Sequence, residues 1–205
     1  MKELWLTSYL DTLTPNNKAL LSGLMKTIIW IIPVFVLVRL MEKQPVLSFL
    51  GLQGGVRKGL KWAFVIIGIM GAYFYLVNIV MMGKDIHVSL SLHTLLNTVI
   101  LAGLLEEIVF RGYILNKWIN GLSTSTVDKS DSFWSANMYT SIFFVLIHFP
   151  IWLRTGQMVF PSVIGSIANI FLLSLLFGYL YKKTNSLWTV IIIHGAYNLF
   201  IVMFS

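Results

Sequence analysis

Six apolar runs, each close to the length of a membrane span and separated by short polar links, fill most of this 205-residue chain: 19–38, 62–82, 95–119, 133–153, 159–181 and 187–204. About 20 apolar residues coiled as a helix cross the ~30 Å hydrocarbon core of a bilayer. In lipid the backbone polar groups must pair within the segment, so apolar runs of this length become helices. The chain is therefore expected to be all-α, a polytopic membrane bundle of about six transmembrane helices. Its 11% of charged residues agrees, against about 25% in soluble domains.

The remaining sequence organises around those runs. Residues 1–18 hold Lys2, Glu3, Asp11 and Lys18 without an apolar centre, so they read as a tail or interfacial helix and not as a signal peptide. Residues 51–61 and 120–132 read as loops from their Gly, Ser, Thr and Asp content. Three parts follow: the tail 1–18, two spans over 19–94, and a part over 95–205 where the chemistry gathers. The links after the first, third and fifth runs carry nine Lys and Arg, and the opposite side carries four. The bias places both termini outside the cytoplasm.

Composition also removes function classes. Without cysteine there is no disulfide framework, no thiolate nucleophile and no Cys-ligated metal. The net charge of +7 is scattered between apolar runs and forms no stripe, so the partner it implies is the lipid bilayer and no nucleic acid. The composition reads as that of a bacterial cell-membrane protein.

Against that background "LLEEIVFRGY" (104–113) is costly. Insertion scales put an Asp, Lys or Arg near a helix centre at roughly 2.5–3.5 kcal/mol each. Residues four apart share a helix face, so Glu107 and Arg111 form a pair, acid N-terminal to base. Glu106 points about 100° away and has Phe110 four residues on, so it is left to face a polar cavity and to serve as a general base. His194 and Asn198 in "HGAYN" project together, with Gly195 and Ala196 allowing close helix approach. Phe144 in "FVLIH" stands one turn before His148, and Pro150 bends or ends that helix. On these boundaries the two histidines differ by ~12 Å in depth, which predicts that the fourth crossing begins near Met138 and leaves 133–137 at the interface.

Each feature has a plainer reading. A membrane Glu–Arg pair is often structural, and a single intramembrane His often satisfies a neighbouring group. His87 and His93 read as ordinary surface residues, and Lys26 as a snorkelling one. Convergence is what changes the weight. Two carboxyls, two histidines and an amide on separate spans resemble an acid–base site with a stabiliser for developing negative charge.

In order, "EEIVFR", "FVLIH" and "HGAYN" resemble the EExxxR, FxxxH and HxxxN motifs of the CAAX-protease and bacteriocin-processing (CPBP, or Abi) family, whose members include Rce1-type prenyl-protein endopeptidases. The resemblance covers 95–204. It implies that Glu106 and His148 activate a water for attack on a peptide carbonyl, that His194 and Asn198 form the oxyanion hole, and that Glu107 and Arg111 are structural. It implies no cofactor. Zinc held by Glu106, His148 and His194 is the alternative, although an HExxH arrangement is absent. The expected substrate is a peptide or membrane-associated protein, and family analogy points to bacteriocin or pheromone maturation, immunity or envelope regulation. The competing readings are a non-catalytic membrane scaffold or immunity protein, and a small transporter with a proton-coupled Glu106, which the lack of inverted repeats disfavours. Oligomeric state is not legible.

Overall fold

The computed structural model describes residues 12–86, 90–122, 129–156, 158–159 and 162–204. Most of the expected interfacial helix, and His87, lie outside these residues. Helix α1 (Pro15–Leu37) starts on Thr14, whose hydroxyl oxygen accepts the Asn17 N–H at 3.4 Å, with Pro15 in the first turn where a missing N–H costs nothing. It continues as a π-helical turn, Val38–Glu42, and stops at Lys43, which is left-handed at φ 53°. A short α2 (Val46–Phe49) leads to α3 (Val56–Phe74), extended by π-helical turns Tyr75–Met81.

The third crossing is a composite. A π-helical segment, Thr94–Ile100, runs into α4 (Leu101–Glu107), then into a second π-helical segment, Ile108–Leu115, and ends in α5 (Asn116–Leu122). The remaining helices are α6 (Lys129–Leu146), α7 (Phe149–Thr155), α8 (Ser162–Thr184) and α9 (Leu187–Met203). The result is an all-α membrane bundle. By length and apolarity alone, 15–42, 56–81, 132–155 and 163–184 qualify as membrane-crossing. The run 94–122 carries Glu106, Glu107, Arg111 and Lys117 in an otherwise apolar helix, and α9 is apolar but has only 17 residues.

Two sequence expectations are corrected. The stretch 51–61 is not all loop, because α3 starts at Val56 inside it. Gly55 takes the left-handed N-cap (φ 60°), and the basic turns that follow are the helix emerging towards water. The stretch 120–132 is likewise not all loop, since α5 runs to Leu122 and α6 starts at Lys129, and α6 buries Phe133, Ala136 and Asn137. The cause is α8. A Cβ on Gly178 would fall on the Asn137 amide, so only glycine lets α8 come this close. Asn137 Nδ2 meanwhile donates to the Leu175 carbonyl at 3.1 Å.

Helix α9 is the hub, packed against α3 on one side and α4 on another, while α6 packs on α8. Leu187, Val190 and Ile193 of α9 are fully buried with Leu115, Leu180 and Phe177, whereas Phe64, Ile69 and Leu172 face outwards, as lipid requires. The α4–α9 seam is set by glycine on both sides. A Cβ at Gly103 would lie 3.0 Å from the Gly195 nitrogen, and one at Gly195 would lie 3.1 Å from the Val99 carbonyl oxygen. Both neighbours are backbone and cannot swing away. Gly103→Val is therefore expected to force α4 from α9 and lower stability by about 1–3 kcal/mol. Thermal unfolding in detergent reads this, and an unchanged midpoint would show that the seam is not tight.

Candidate active site

The seam places α4 charges against an α9 imidazole. Glu107 and Arg111 are both fully buried, and an Arg111 terminal nitrogen donates to Glu107 Oε1 at 2.9 Å, the pair expected from their spacing. The second terminal nitrogen donates to Ser174 of α8, to its carbonyl at 3.0 Å and its hydroxyl at 2.6 Å. The guanidinium also lies over the Phe144 ring, 4.5 Å from the centroid, and 5.4 Å from that of Phe177. One side chain thus ties α4, α6 and α8 together.

The same Glu107 oxygen accepts from His194 Nδ1 at 2.8 Å. An oxygen already holding a guanidinium is an acceptor, so Nδ1 carries the proton and Nε2 is turned towards Glu106, whose Oε2 stands 3.9 Å away. This second duty of Glu107, orienting His194, was not legible from the i, i+4 pattern. Glu106 Oε2 is buried and has no hydrogen-bond partner among the described residues, while the side chain as a whole remains 19% exposed. Glu107 is thus ion-paired as the helical spacing predicted, whereas Glu106, expected to face a polar cavity, lies outside the wall of the cavity described below.

His148 owes its position to a helix break. Pro150 has no N–H to carry the ladder on, and the His148 N–H bonds three residues back, to Val145, instead of four. That leaves the Phe144 carbonyl to accept from His148 Nδ1 at 2.8 Å. A carbonyl has no hydrogen to give, so here too Nδ1 is protonated and Nε2 is the free, basic face. The backbone of Phe144 orients this ring, while its side chain packs on Arg111 and, at 6.0 Å between centroids, on His194. His148 then caps α7, its carbonyl accepting the Trp152 N–H at 3.1 Å.

A cavity of about 360 Å³ opens between α6, α8 and α9. His148, His194, Asn198 and Phe144 line it, so the structure brings these four together; Glu106 is not in its wall but abuts it through His194. Asn198 donates one amide hydrogen to the Thr98 carbonyl at 2.9 Å, which leaves the other free. That carbonyl belongs to the first π-helical segment, and such irregular turns are frequent at functional sites. Sequence reasoning missed Ser166, Asn169 and Tyr197 in the wall; Asn169 Nδ2 donates to the Tyr197 hydroxyl at 2.6 Å. Polar residues at 166 and 169, three apart in an apolar helix, were the available signal.

Residues 89–200 match the family model described as type II CAAX prenyl endopeptidase, Rce1-like. The chain belongs to the Rce1-like family. It is accordingly an integral membrane protein of protease type, acting by CAAX-protease-like hydrolysis. The span shared with the Rce1-like family takes in the composite third crossing and all seven residues singled out above, from Glu106 to Asn198, and leaves α1 to α3 outside. No curated protein and no solved structure matches the chain. Among the described residues no three His, Asp or Glu side chains converge as a metal-binding set.

Proposed function

We propose that this Rce1-like protein is an intramembrane endopeptidase in which Glu106 and His148 activate a water, without a metal. The observation carrying the reading is the pair of histidines whose Nδ1 is tied down, beside a carboxylate whose Oε2 has no hydrogen-bond partner among the described residues. The water oxygen attacks the scissile carbonyl carbon while Glu106 removes its proton. The oxyanion forms beside His194 and Asn198. Collapse expels the amine, which takes the proton back from Glu106. Because His194 Nδ1 already donates to Glu107, the ring meets the oxyanion through Nε2, and the donor supplied directly is the second amide hydrogen of Asn198.

The substrate class is a peptide or membrane-associated protein, with bacteriocin or pheromone maturation, immunity or envelope regulation as the settings suggested by analogy. The test is cleavage of a fluorogenic peptide library by purified protein in detergent, with and without a strong chelator. Cleavage that survives chelation supports the metal-free reading; loss that added zinc restores would make the histidines ligands. Asn198→Ala should separate binding from chemistry. An oxyanion donor acts in the transition state, and removing one typically costs ~10²–10³ in turnover. A lower kcat with little change in KM is expected, and a raised KM at constant kcat would reassign Asn198 to substrate binding.

A further inference from the structure

Two polar side chains in the cavity wall have no part in the chemistry above. Asn169 of α8 and Tyr197 of α9 meet there, Asn169 Nδ2 donating to the Tyr197 hydroxyl oxygen at 2.6 Å. The wall around them carries no Asp, Glu, Lys or Arg, and apolar side chains such as Ile170, Leu173 and Phe177 make up much of it. Polar groups in an apolar bundle are costly unless their hydrogen-bonding capacity is met.

Here that capacity is only half used. The Tyr197 oxygen is the acceptor of the bond, so its own O–H hydrogen is left over. Asn169 spends one N–H on the bond and keeps its carbonyl oxygen, Oδ1. Among the described residues neither the Tyr197 hydrogen nor Asn169 Oδ1 has a partner. Asn169 is exposed and Tyr197 half-buried, so both groups reach the open space of the cavity. The Tyr197 ring is also fixed from behind, edge-on to Phe74 of α3 at 5.9 Å between centroids. A held donor and a held acceptor therefore stand side by side in an apolar wall.

A peptide unit presents one N–H and one C=O, the complement of this pair. We propose that Asn169 and Tyr197 form a subsite that grips the substrate backbone beside the scissile bond. Tyr197 donates to a substrate carbonyl, and Asn169 Oδ1 accepts a substrate N–H. The subsite rests on the endopeptidase reading above. Spacing on α9 sets where along the substrate the gripped unit lies. Tyr197 follows His194 by three residues, about 4.5 Å of helix rise. An extended strand advances about 3.3 Å per residue, so the unit lies within about two residues of the scissile bond. Such a grip reads no side chain and holds ground state and transition state alike, so it lowers KM without raising kcat.

The test uses a cleaved peptide remade with one backbone amide at a time replaced by an ester, which removes the N–H. In the wild-type protein one ester near the scissile bond should raise KM about three- to tenfold, the worth of one hydrogen bond. In Asn169→Ala the same ester should cost nothing further, because its acceptor is gone. Tyr197→Phe keeps the ring against Phe74 and loses only the hydroxyl. Its KM should rise by a similar factor, with kcat and the unfolding midpoint unchanged. The wild-type ester series and Tyr197→Phe decide the matter should Asn169→Ala not fold. A bond that merely ties α8 to α9 would lower the midpoint in both variants and leave the ester penalties as in wild type, which overturns the subsite. A Tyr197→Phe that loses kcat at constant KM overturns it too, since the hydroxyl would then serve the transition state. If the wild-type protein cleaves no peptide, the endopeptidase reading falls and the subsite with it. Cleavage without any position-dependent ester penalty overturns the subsite alone.

Discussion

Glu107→Gln is expected to cost this protein about 3–5 kcal/mol of stability, because it strands a fully buried guanidinium. Arg111 would keep its bonds to Ser174 and lose the carboxylate that balances its charge. Ser174→Ala is the graded control. It removes one of the three hydrogen bonds of the guanidinium and leaves the ion pair intact, so its cost should be nearer ~1.5–3 kcal/mol, the usual worth of a hydrogen bond to a charged group. The double variant Glu107→Leu with Arg111→Met separates structure from chemistry. Apolar replacement of a buried pair is often neutral or stabilising, so the unfolding midpoint should recover. Activity should not, because His194 Nδ1 would have lost the oxygen that orients its ring. A double variant that regains both would mean that Glu107 does nothing for His194.

Much of this was legible in the sequence because the bilayer leaves little choice. Apolar runs of span length marked the chain as an all-α membrane bundle, although four helices and not six qualify as crossings by length and apolarity, and the helical repeat sorted Glu106 from Glu107. Pro150 announced the break that exposes the Phe144 carbonyl. What escaped was anything decided between helices. The bond from His194 to Glu107 joins positions 87 apart, and no local pattern reports it. Ser174 of α8 carries no signal in the sequence, yet it accepts two of the three hydrogen bonds of the Arg111 guanidinium, through its carbonyl and its hydroxyl. The π-helical segments on either side of α4, which pack against α9 and α1, also left no signature in the sequence. The margins of α3 and α6 were misplaced for a related reason: composition marks where lipid ends, whereas helices continue past that point when glycine contacts hold them.

Glu106→Gln should abolish turnover without weakening the fold, the opposite of its neighbour. The amide keeps the shape of the carboxyl but cannot take a proton from water, and a general base contributes up to ~10⁴ in rate. The stability side follows from what the carboxylate lacks. Its Oε2 is buried without a hydrogen-bond partner among the described residues, so a neutral amide forfeits no bond there and removes the cost of a desolvated charge. The unfolding midpoint is expected to stay level or rise, the trade of stability for activity found at functional sites. Two measurements on the two single variants therefore carry opposite signs: Glu107→Gln falls in midpoint, and Glu106→Gln falls only in kcat. If Glu106→Gln instead lost stability and kept turnover, its carboxylate would be serving as the counter-ion of His194, and the base would have to be the free Nε2 of His148.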